Sequence, residues 1–256
     1  MFSTPFTFLN QVGGAQWTPA SFSNLYDWWT SDSGVSISSG AVNSWTGYNG
    51  NILYPWNSSY KASYSVSDSD WGNKPSIMLN PTLQNSDVGY YINFASAPSI
   101  TDKTIIGISK LVNKSAADSA IIQYGNSTTG GLRAGIFGLA GSNQYYIYQQ
   151  IGPSELATVG NTWINGNYQF VRFSYKVTGD TDFYISDTNN ISNYVGTIPS
   201  PSNYQFGSGA GIGFYANQYG YTSKMTFVEY IIIDGIPNTQ ELIDFENYID
   251  SKYQFS

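Results

Sequence analysis

Between residues 104 and 234 the chain repeats one pattern: a short apolar segment closed by turn residues, then another roughly 10 to 15 residues on, with no helical period between them. The segments are 104–112, 120–124, 132–139, 144–151, 169–177, 182–186, 212–216 and 224–234. The cleanest is 169–177, where Val171, Phe173, Tyr175 and Val177 alternate with Phe170, Arg172, Ser174 and Lys176. A period of two predicts one buried face and one mostly wet face. Many such strands in succession predict an all-β fold, an antiparallel two-sheet jelly-roll sandwich. Residues 36–76, dense in Ser, Asn, Gly and Trp, are expected to be strand fragments joined by long loops, and 193–211, with Pro199 and Pro201, a long loop.

The ends differ from this middle. Asn238 and Glu241 form a capping-box pattern, and Leu242, Phe245, Ile249 and Tyr253 follow at helical spacing, so a C-terminal helix is expected over 241–253, with Asp244, Asn247 and Asp250 in water. Near the start, Ser21 caps an expected short amphipathic turn with Leu25, Trp28 and Trp29 at i, i+3 and i+4. Residues 1–16 show no period and read as an N-terminal arm ahead of one domain over 17–256. Its three phenylalanines, Phe2, Phe6 and Phe8, would form an exposed apolar patch on a monomer. They are therefore expected to anchor the arm in a virion partner or a sister subunit, which makes the chain an expected oligomer.

Composition narrows the chemistry. The 256 residues include no Cys and no His, which excludes disulfides, thiolate catalysis, Cys/His zinc sites and imidazole-based triads. A net charge of −7 repels a phosphate backbone, so nucleic acid is not an expected partner. No apolar run approaches the ~18 residues of a helical membrane span, and no membrane partner is expected. Only 11% of residues are charged while 17% are aromatic, a balance that suits an extracellular, sugar-facing surface. The first basic residue is Lys61, so no basic leader region is visible. An outward-facing protein of this kind is expected to reach the outside as part of a virion released by lysis.

Two stretches together resemble the concanavalin-A-like lectin/glucanase superfamily, in the laminin-G-like form of bacterial surface proteins and phage virion proteins. The first comprises Trp17-Thr-Pro, Leu25-Tyr-Asp-Trp-Trp29, Val42-Asn-Ser-Trp45 and Lys74-Pro-Ser-Ile-Met78. The second comprises Val228-Glu-Tyr-Ile-Ile-Ile-Asp234 and the helix closing in Tyr248-Ile-Asp-Ser-Lys-Tyr253. The resemblance implies two antiparallel sheets with a curved inner face, glycan ligands in that face or at its rim, and calcium as a frequent helper.

Glycoside cleavage usually needs two carboxylates about 5 to 9.5 Å apart. The chain has four Glu, at 155, 229, 241 and 246, and lacks both the E-x-D-x-x-E pattern of the superfamily's glucanases and the His of its alginate lyases. A non-enzymatic protein is therefore expected. Glu229 shares an expected strand face with Met225, Phe227, Ile231 and Ile233, and reads as a structural acid satisfied by backbone N–H groups or by Arg133 or Arg172. For metal, Asp180 and Asp182, like Asp68 and Asp70, are acidic pairs in expected loops that could hold calcium. For sugar, the densest clusters of aromatic rings with amides are Asn143, Tyr145, Tyr146 and Tyr148, and Tyr215, Asn217, Tyr219 and Tyr221. The function these features predict is a bacteriophage virion surface protein, a head decoration, fibre or tail adhesin, whose lectin-like domain binds host glycans. The alternative is a glycan-binding module or glycan-cleaving enzyme of a bacterial surface.

Overall fold

The computed structural model describes residues 16–82, 89–92, 101–113, 119–125, 132–138, 144–151, 154–162, 166–199, 209–213 and 223–255. The anchoring residues Phe2, Phe6 and Phe8 lie outside them. Trp17, the first residue of the expected domain, packs edge-on against Phe22 with ring centroids 5.2 Å apart.

Every ladder between described strands is antiparallel, and the pairings join them into one large curled sheet. One limb is built on β17 (Lys224–Ile233), flanked on one side by β8 (Lys103–Asn113), then β13 (Tyr168–Tyr175), β14 (Asp180–Ser186) and β15 (Tyr194–Pro199). On its other side β17 pairs first with β6 (Lys74–Leu79), through Met225 to Phe227, and then with β1 (Leu25–Thr30), from Glu229 to Ile233. From β6 the sheet runs on through β5 (Ser63–Asp68), β3 (Ala41–Thr46) and β2 (Val35–Ser38). The other limb runs β7 (Tyr90–Ile92), β16 (Ala210–Ile212), β9 (Ser119–Gly125), β10 (Leu132–Gly138), β11 (Gln144–Ile151) and β12 (Ser154–Thr162). The link is β4 (Ile52–Pro55), which pairs with β3 through Leu53 and with β7 through Tyr54.

The all-β fold with one C-terminal helix is thus as the sequence predicts, but several local expectations change. The segment read as an amphipathic turn is a three-residue 3-10 helix, Pro19–Ser21, followed by β1. Strand pairing with β17 puts the neighbouring Trp28 and Trp29 on opposite faces, where helical spacing would have put them on one. The expected loop after residue 193 begins with β15, and β12 was not anticipated.

Strand β13 is buried on both faces, which corrects the expectation of one wet side. Val171, Phe173 and Tyr175 enter the main core, together with Ile122, Ile136, Ile147 and Ile212 of the other limb. The opposite face carries Phe170 into a second cluster with Ile106, Ile108 and Ile191 beneath the helix α1 (Thr239–Tyr253). Arg172, also on that face, is buried with its guanidinium carbon 3.6 Å from the Tyr184 ring centroid and its Nε donating to the Ile191 carbonyl.

The helix starts as its sequence predicts. Asn238 Oδ1 accepts from the Glu241 amide at 3.0 Å, and Glu241 Oε2 accepts from the Asn238 amide at 2.9 Å. Glu241 Oε1 also takes the Ser23 hydroxyl at 2.6 Å, tying the helix start to the segment before β1. Leu242, Phe245, Tyr248, Ile249 and Tyr253 bury one stripe. Removing the cap leaves helix amides without partners, so Asn238→Ala is expected to lower stability by about 1 kcal/mol, read as a fall in thermal midpoint by circular dichroism.

A candidate glycan-binding cleft

A cleft of about 660 Å³ opens between β1, the turn after β3 and the end of α1, lined by Trp28, Thr30, Asp32, Thr46, Tyr48, Lys74, Tyr248 and Lys252 among others. Its floor depends on an irregularity in β17. The ladder to β8 shifts register between Phe227 and Glu229, where the flanking strand changes from β6 to β1. A bulge resets the alternation of faces. Met225 and Phe227 accordingly point into the main core, whereas Val228, Ile231 and Ile233 join the cluster under the helix. Glu229 faces the helix with Ile231 and Ile233, and the sequence expectation that it shares a face with Met225 and Phe227 is corrected by that bulge.

Glu229 is fully buried. Its Oε1 accepts from Tyr253 Oη at 2.6 Å, Lys252 Nζ at 2.9 Å and Tyr248 Oη at 3.1 Å, and its Oε2 from Trp28 Nε1. Three of these donors come from the last turns of α1, so the acid locks the helix to the sheet. Among the described side chains its charge partner is Lys252; of the arginines considered from sequence, Arg172 is committed to the Ile191 carbonyl and the Tyr184 ring, and the Arg133 side chain lies outside the described ones. Tyr248 precedes Lys252 by one helical turn, so the spacing that brings them together was present in the sequence, where both stand in the closing stretch of the helix without an assigned role.

Lys252 joins two acids. Its Nζ also lies 3.0 Å from Asp32 Oδ2, 2.8 Å from Thr30 Oγ1 and 2.9 Å from Tyr248 Oη, and Thr30 donates onward to Asp32 Oδ1 at 2.7 Å. Burial alone would lower the lysine's pKa, but the charges of Glu229 and Asp32 and their hydrogen bonds outweigh it and raise it. For Asp32, burial would raise the carboxyl, and the Lys252 charge with the bonds from Thr30 and Lys252 turns the balance so that it lies below the ordinary range. Burial and the Glu229 charge push the Tyr248 and Tyr253 hydroxyls far up, so both stay neutral donors.

The aromatic wall is set by another buried acid. Asp27 is fully buried, and its carboxylate accepts the amides of Trp28 at 2.7 Å, Asn49 at 2.8 Å and Asn51 at 2.9 Å. These bonds fold residues 47–51 back against β1, where the Tyr48 amide donates to the Trp28 carbonyl. The turn needs glycine at 47, because a Cβ there would stand 2.4 Å from Asp27 Oδ1. The result holds the Tyr48 ring, 64% exposed, beside Trp28 with centroids 6.0 Å apart and planes 35° from parallel. A flat aromatic surface and an exposed carboxylate lining one cleft can receive the C–H face of a sugar ring and accept from its hydroxyls.

None of the described residues proposed from sequence lines this cleft. Tyr145, Tyr146 and Tyr148 are on β11, opposite Gly138, Phe137 and Gly135 of β10. Asn143, Tyr215, Asn217, Tyr219 and Tyr221 lie outside the described residues. Asp180 and Asp182 are on β14 and not in a loop; Asp180 is exposed, and Asp182 pairs with Lys176 at 2.5 Å. Asp68 accepts from the Asp70 amide and the Ser76 hydroxyl, and Asp70 pairs with Lys110 at 2.7 Å. Among the described residues, no three acidic side chains converge. Trp28, Asp32, Tyr48 and Lys252 were not singled out as a site from sequence, because residues so far apart carry no shared motif.

No protein-family model matches the sequence, and neither does any curated protein. Solved structures do match. A sialidase from Trypanosoma rangeli with 2,3-difluorosialic acid aligns over 97% of this chain at 12% identity and a TM-score of 0.64, covering 35% of the sialidase. The ligand binding domain of botulinum neurotoxin serotype D, in complex with N-acetylneuraminic acid, aligns over 91% at 11% identity and a TM-score of 0.56, covering 52% of that chain. The binding domain of Paraclostridial Mosquitocidal Protein 1 aligns over 89% with a TM-score of 0.59. The expectation of a non-enzymatic protein is corrected here, since enzymes stand among the structures this chain most resembles. At these identities the likeness concerns the fold: 89 to 97% of this chain is similar to about a third of a sialidase and about half of the toxin binding domains.

Proposed function

We propose that this chain is a lectin-like glycan-binding module and that its sugar site is the cleft of Trp28, Tyr48, Asp32 and Lys252. The observation that carries this reading is the exposed Tyr48 ring, held beside Trp28 in the same cleft as the Asp32 carboxylate. Aromatic faces stack on the apolar side of pyranose rings, and carboxylates accept from vicinal hydroxyls. The similarity to a toxin domain bound to N-acetylneuraminic acid supports glycans as the ligand class. The test is a glycan array with the full chain, followed by titration calorimetry of the best ligand. Tyr48→Ala is expected to lower affinity at least tenfold with an unchanged melting temperature. Absence of glycan binding, or binding indifferent to Tyr48→Ala, overturns the assignment.

In its finer form the same reading takes the curled sheet as a jelly-roll sandwich of the concanavalin-A-like kind. Support comes from the close approach of the two limbs, where a Cβ on Gly107 of β8 would stand 2.5 Å from Ile122 of β9. It also places the module on the surface of a bacteriophage virion, as a decoration, fibre or adhesin facing host glycans. The support is compositional: an aromatic-rich chain with few charges presents neutral hydroxyls and amides to its surroundings. Detecting the chain by mass spectrometry in purified particles tests this placement; particles without it refute it.

A further inference from the structure

Among the described residues the cleft holds two cationic side chains, Lys252 and Lys74, and the inner one, Lys252, has no hydrogen left to give. An ammonium has three donors. Lys252 Nζ is surrounded by four oxygens within 3.0 Å, from Glu229, Thr30, Tyr248 and Asp32. The neighbouring donors are equally committed: the Thr30 hydroxyl to Asp32, and the Tyr248 hydroxyl and the Trp28 indole to Glu229. Lys252, Glu229 and Asp32 together carry one net negative charge, and Asp32 is the member that meets solvent, its side chain 37% exposed. Lys74 stands exposed at the rim, where a lone ammonium in water holds a carboxylate only weakly.

From this arrangement, and resting on the glycan reading of the same cleft, we infer that the site selects uncharged pyranosides that bring hydroxyl donors to Asp32, and discriminates against acidic sugars. A sugar carboxylate would meet the Asp32 charge with no free ammonium on the inner wall to offset it. A vicinal diol instead supplies the hydrogens that the remaining lone pairs of Asp32 can take. The preference runs opposite to the acidic sugar seen in the toxin domain of similar fold.

The experiment is titration calorimetry of the full chain with matched pairs: methyl glucoside, galactoside and mannoside against the corresponding uronic acids, and lactose against 3′-sialyllactose. At least one neutral member is expected to bind, with its acidic partner at least tenfold weaker. Asp32→Asn should weaken the neutral ligand at least fivefold and narrow the gap between the pair. An acidic sugar that binds as tightly as its neutral partner overturns the selectivity while leaving the cleft a glycan site. Unaltered affinity in Asp32→Asn overturns the role given to that carboxylate. Failure of every sugar, neutral and acidic, removes both the selectivity and the glycan reading beneath it.

Discussion

Lys252→Met is expected to lower the stability of the fold by about 3 to 5 kcal/mol, because it leaves the Glu229 carboxylate buried without a cation. The tyrosine hydroxyls and the Trp28 indole would still donate to Glu229, but they supply no charge. A second substitution, Glu229→Gln in the Lys252→Met background, removes the stranded charge and should recover part of the loss. Urea unfolding followed by tryptophan fluorescence measures both; a loss under about 1 kcal/mol in the single variant would show that water reaches Glu229 and relieves it. The pH profile carries the same network. The Lys252 pKa is raised on folding, so its contribution is complete below the ordinary lysine value of about 10.4 and is lost as pH rises through the higher folded value. The Asp32 pKa is lowered, so its share is present above the ordinary value of about 3.9 and drains away as pH falls through the lower folded one. Stability should therefore hold between these limits and fall beyond each, with the alkaline fall smaller in Lys252→Met.

Asp27→Ala is the second large effect, on the order of 3 kcal/mol, since hydrogen bonds to a charged acceptor are the strong ones and three amides lose theirs at once. It differs from Lys252→Met in its functional consequence. Without the carboxylate, residues 47–51 have lost the anchor that folds them against β1, and Tyr48 loses its fixed place beside Trp28. Glycan affinity is expected to fall at least as far as in Tyr48→Ala, and unfolding to shift to lower urea. Unchanged affinity in a variant that is clearly destabilised would mean that Tyr48 is placed by its own bond to the Trp28 carbonyl and not by Asp27.

What was legible in the sequence follows from range. The strands β8, β9, β10, β11, β13, β14 and β17 and the capped helix were readable because short apolar segments closed by turn residues, the period of two in β13, a period of 3.6 and a capping box are properties of neighbouring residues. Leu25, Trp28 and Trp29 fit helical spacing equally well, and only the distant partner β17 decided for a strand. The outer face of β13 looked wet because Arg172, Ser174 and Lys176 lie on it, while the helix cluster and the Ile191 segment that cover much of it come from elsewhere in the chain.

The cleft was least legible of all. Sequence by itself determined an all-β chain closed by one helix, free of thiol and imidazole chemistry, with an acid at 229 that had to be satisfied if it was buried. Tertiary structure alone decided that a bulge turns this acid toward the helix, that Lys252 answers it, and that Asp27 sets Tyr48 beside Trp28. Local patterns are written in adjacent residues. The partner of a buried charge is whichever group the folded chain carries to it, here 23 positions away for Lys252 and 201 for Trp28.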